Sequence, residues 1–165
     1  MGEAIEQDKP SLIEHTQDVD ISVDKFHDYC IRVLNKTGFK DVKRSHLMFC
    51  TLYILELIGD EYKHIAHRLL GDFKNESLRN LKELHDMVDK QFNTFYELFY
   101  TFSKEMIAAI SQQDFEIHFY VPKQELIKKG KNQAFTEQEL RLFSYYRRVG
   151  HYLNALLELR VEMEY

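Results

Sequence analysis

Proline stands at only two of the 165 positions, Pro10 and Pro122, and glycine at only six. These residues interrupt helices and build tight turns, so their scarcity leaves room for long helices and argues against a turn-rich β architecture. Apolar residues recur at three-four spacing through most of the chain, which is the mark of helices with one buried face. The expected fold class is all-α, an antiparallel helical bundle joined by short loops.

The spacing places the helices. Residues 1–18 are polar, with Pro10-Ser11 as a helix start or break. Val19, Val23, Phe26, Cys30, Val33 and Leu34 form a helical pattern that ends at Gly38, where a C-terminal glycine is expected. A second helix runs from Ser45 to Leu70, with Leu47, Ile54, Ile58, Ile65 and Leu69 as its apolar stripe. Ser77 is the expected N-cap of a third, long helix reaching to about Gln113. Residues 114–129 form a shorter segment with a kink or restart at Pro122. Thr136 and Glu139 have the spacing of a capping box and open the final helix.

Charge and composition exclude several classes. The net charge is −5 and lysine and arginine are spread along the chain, so no basic stripe suited to nucleic acid is visible. Lys128, Lys129 and Lys131 read as a solvated loop. No apolar run is long enough to span a membrane, and residues 1–9 lack a signal-peptide core. Cys30 and Cys50 lie within apolar patterns and read as small buried hydrophobes, not a disulfide framework. A cytoplasmic protein is expected. No glycine-rich phosphate loop or activated cysteine is found, so no enzyme activity is expected.

The second and last helices echo each other. At an offset of 91 residues Ile58-Gly59 meets Val149-Gly150, Leu52 meets Phe143 and Ile65 meets Leu156. A glycine inside a helix costs about 1 kcal/mol relative to alanine, so two at matching places imply a shared packing reason such as close helix approach.

The strongest chemical signal is the run Glu56-Leu57-Ile58-Gly59-Asp60-Glu61-Tyr62-Lys63-His64-Ile65-Ala66-His67. At about 100° per residue Glu56, Asp60, His64 and His67 share one helix face, away from the Ile54, Ile58 and Ile65 stripe. Like charges at i,i+4 repel mildly. A bridging cation would relieve that repulsion, with carboxylate oxygens suiting hard metals and the imidazoles suiting iron or zinc. The alternative is a charged surface with Lys63 as counter-ion. Asp24 belongs to a second ladder, Asp20-Asp24-Asp28, with His27 beside it. His85 and Asp89 form a further i,i+4 pair. Either set could supply outer metal ligands.

Glu56-Leu57-Ile58-Gly59-Asp60 followed by His64-Ile65-Ala66 resembles the Glu-Arg-Ile-Gly-Asp…Asn-Ile-Ala signature of the phosphate-uptake regulator (PhoU) family. Asp20-Ile21-Ser22-Val23-Asp24 resembles the pattern that opens the family's preceding helix. Ala4-Ile5-Glu6-Gln7-Asp8 resembles the end of the helix before that. The resemblance implies two three-helix units, of which this chain would hold one and two-thirds: residues 1–72 a partial first repeat, residues 73–165 a complete second one. It implies a truncated or short family member, of archaeal type, that could lack an N-terminal helix or a DNA-binding domain. A missing helix would leave an apolar groove and invite homo-oligomerisation.

The resemblance also implies a regulatory adaptor of phosphate uptake, whose partners are a phosphate transporter or a sensor component, with surface iron or zinc clusters on the acidic motifs. Glu56 and Asp60 carry over as metal ligands, with His64 beside them. The second motif does not carry over, since Arg147 and His151 stand where the family has acids. At most one metal site is then expected, and Arg147 reads as an ion-pair partner of an acidic neighbour. Two alternatives remain: a ferritin-like di-iron carboxylate protein, which needs inward-facing acids, and a metal-free helical scaffold. The direction in which the acids point separates them.

Overall fold

The computed structural model describes residues 10–71, 78–131 and 134–165. Five helices and no strands occur among the described residues: α1 (Pro10–Thr37), α2 (Val42–Gly71), α3 (Leu78–Tyr100), α4 (Lys104–Gly130) and α5 (Glu137–Glu164). The expected end of a preceding helix at residues 4–8 and the N-cap at Ser77 lie outside the described residues.

Local chemistry accounts for most of the boundaries. Gly38 closes α1 with φ of 56°, a left-handed conformation that suits glycine. Its N–H donates to the Leu34 carbonyl at 2.8 Å. Asp41 then caps α2, its Oδ1 accepting from the Lys43 N–H at 2.9 Å, so α2 begins three residues before Ser45. The expected capping box is formed. Glu139 N–H donates to the Thr136 hydroxyl at 3.2 Å, and the Thr136 N–H donates to the Glu139 carboxylate at 2.7 Å.

Two expectations are corrected in the middle of the chain. The long helix expected from Ser77 to Gln113 is divided after Tyr100. Ser103 caps the new helix by accepting from the Met106 N–H at 3.3 Å, and its hydroxyl donates to Glu105 at 2.6 Å. Apolar spacing continues across this corner because both helices bury one face, so periodicity alone hides the turn. Conversely, α4 runs unbroken through Pro122. Pro122 is exposed, which leaves water free to serve the carbonyl that its missing N–H cannot bond.

Helices α3, α4 and α5 pack pairwise into a three-helix unit, and α2 lies along α5. The core includes Ile58, Ile65 and Leu69 of α2, Leu84 and Leu98 of α3, Ile110 and Ile117 of α4, and Phe143, Val149, Leu153 and Leu156 of α5. Among the described residues α1 packs on α2 alone. Much of its apolar pattern is therefore uncovered, and Val19, Phe26 and Val33 face solvent. Cys50 is exposed and Cys30 half-buried, so neither is the buried hydrophobe expected. No helix among the described residues is long and apolar enough to cross a membrane.

Candidate functional site at two glycine crossings

The two mid-helix glycines each mark a close crossing with the preceding helix. A Cβ placed on Gly59 would lie 3.5 Å from Val23 of α1, and one on Gly150 would lie 3.1 Å from Ile117 of α4. The pairs α1–α2 and α4–α5 are thus built alike, with α1 related to α4 by 94 residues (Val23 to Ile117) and α2 to α5 by 91 (Gly59 to Gly150). This equivalence gives the sequence echo its physical reason, and it sets two clusters of charged side chains in matching places.

The first cluster lies along the α1–α2 seam. Buried Asp20 accepts an ion pair from the Lys63 ammonium at 2.7 Å, and the same nitrogen lies 3.6 Å from Asp60. Lys63 is held charged chiefly by its hydrogen bond to Asp20. Partial burial pushes the Glu56 carboxyl up, and the neighbouring charges of Asp60 and Asp24 add to that. His27 and Lys63 oppose it. The His27 Nε2 is enclosed without a hydrogen-bond partner among the described residues. Asp24 and Asp60 are therefore both close enough to Glu56 to act on its charge, although helical spacing left open which way the Asp24 ladder faces.

The other expected metal ligands are elsewhere. His64 stacks on Tyr145 of α5, ring centroids 5.4 Å apart and 23° between planes. His67 is exposed. His85 is buried on α3, edge-on to Tyr146 at 5.7 Å. Burial pushes its imidazole down, with Asp89 and Asp86 opposing. Asp89 is exposed and accepts from Asn93 at 3.1 Å. Neither His85 nor Asp89 is among the charges that act on Glu56; Asp89 instead acts on Tyr62, whose phenol is pushed up chiefly by burial.

This donor set does not fit the iron or zinc site that the resemblance implies. Among the described residues no three His, Cys, Asp or Glu side chains are grouped so as to hold a metal ion. The position between Asp20 and Asp60 is filled by an ammonium, which neutralises the acids as a cation would.

The second cluster has the opposite character. The equivalents of Asp20, Asp24, Glu56 and Asp60 are Asp114, His118, Arg147 and His151. Asp114 is pushed up by partial burial and held back by His151 and His118. The Arg147 guanidinium lies 3.2 Å from the His118 Nδ1, so its observed neighbour is an imidazole and not the expected acid.

It is Arg148 that forms the ion pair. Its Nε and Nη2 donate to the two carboxylate oxygens of Glu61 at 2.7 and 2.8 Å, a bidentate pair that ties α2 to α5. Arg148 also lies over the Tyr145 ring at 4.8 Å. Glu61 falls on the same side of α2 as Ile58 and Ile65, and a charge on a core face was the available signal that a partner must exist. Lys128 is likewise no loop residue: it donates to Glu139 at 2.8 Å and sits 4.0 Å over Phe135.

No family model, no curated protein and no solved structure matches this chain.

Proposed function

We propose that the chain is a regulatory adaptor of the phosphate-uptake type, working on the cytoplasmic side through protein contacts and without catalytic turnover. The observation that carries this reading is the acidic motif at a glycine crossing. Gly59, inside Glu56-Leu57-Ile58-Gly59-Asp60, meets α1 at Val23, and the acids on either side of it look along the α1–α2 seam, not into the core.

The direction of the acids weighs against di-iron oxidase chemistry. That chemistry needs carboxylates aimed into a bundle from several helices. Here Glu61 is the acid of α2 that is buried against α5, and both its oxygens are engaged by Arg148. With Lys63 paired to Asp20 and Asp60, the adaptor reading does not require a metal at the seam.

Deleting the gene and following labelled phosphate uptake tests the reading. High-affinity uptake is expected to escape repression in phosphate-rich medium and to be restored by the intact gene. Uptake that responds normally to phosphate without the gene would refute the phosphate role.

A further inference from the structure

We draw no further inference here: the strongest candidate, the side-chain cluster of Asp114, His118, Arg147 and His151 on the α4–α5 seam, carries nothing, because the Asp114 carboxylate lies among the imidazoles and the guanidinium, so the cluster selects neither an anion nor a cation and nothing in the structure shows what it binds.

Discussion

Replacing each crossing glycine by alanine should move stability in opposite directions. Alanine is favoured over glycine inside a helix by about 1 kcal/mol, and both substitutions begin with that gain. At Gly59 the new methyl would meet Val23 at 3.5 Å, an ordinary contact against a half-exposed helix pair. A net gain of about 0.5–1 kcal/mol is expected. At Gly150 it would lie 3.1 Å from Ile117 and 3.3 Å from the Gln91 Oε1. Both neighbours are buried in the core, and Gln91 also donates to the Gly150 carbonyl at 3.3 Å. Both contacts are tighter than an ordinary van der Waals contact, so these buried side chains would have to shift to admit the methyl. Overpacking of this kind costs about 1–3 kcal/mol, which outweighs the propensity gain and leaves a net loss of about 1 kcal/mol. For a chain of this size each kcal/mol shifts Tm by about 2–4 °C. Calorimetry on the two variants should therefore show Gly59→Ala melting above the parent and Gly150→Ala below it. If Gly150→Ala is as stabilising as Gly59→Ala, the second crossing is not tightly packed and the reasoning fails.

Breaking the Glu61–Arg148 pair with Glu61→Gln should cost about 1–2 kcal/mol, the buried-pair penalty discounted for the exposure of Arg148. A double-mutant cycle with Arg148→Met should return a coupling of similar size, and additive effects would show that the pair does not join α2 to α5. Burial holds the His85 imidazole below its ordinary value, so the unfolded chain takes up the proton first. Stability is then fully present above about pH 6.5 and declines as pH falls toward the folded value. Denaturant titrations of His85→Leu should show a shallower loss between pH 7 and pH 5; an unchanged slope would refute the assignment. Lys63→Met should lower Tm by exposing Asp20 and Asp60 to each other, while the parent carries no stoichiometric iron or zinc by plasma mass spectrometry. Metal that is present in the parent and lost in Glu56→Ala/Asp60→Ala would show that the seam holds a metal after all.

Helical content was readable from the scarcity of proline and glycine, and the last helix from its Thr136–Glu139 capping box, because both signals are local. The echo at Gly59 and Gly150 was readable too, since a helix tolerates glycine in its interior only for a reason. The turn at residues 101–103 escaped because apolar spacing passes straight through it and only the cap at Ser103 betrays it. For the candidate site, helical spacing put Glu56 and Asp60 on one face of α2 but left open whether the Asp20-Asp24-Asp28 ladder of α1 faces them. It could not reveal that Lys63 reaches across to Asp20, which depends on how two helices meet. His64 was assigned to the acidic face by angle, yet Tyr145 of α5 draws it into a stack. His85 and Asp89 lie on α3, and nothing in their own spacing tells which neighbour they approach.

That α1 rests on α2 alone has a consequence for how the fold opens. Helices with few buried apolar contacts belong to the least protected cooperative units of a protein and exchange their amide hydrogens by sub-global opening while the rest stays closed. The α3–α5 unit with α2 can thus persist while α1 lifts away, taking with it half of the acidic seam. Anything that binds only the closed form then stabilises α1 selectively, by about 2.7 kcal/mol at a hundredfold excess over its Kd. In such a molecule occupancy is written into the protection of one helix, and the acids of Glu56 and Asp60 are covered or uncovered accordingly.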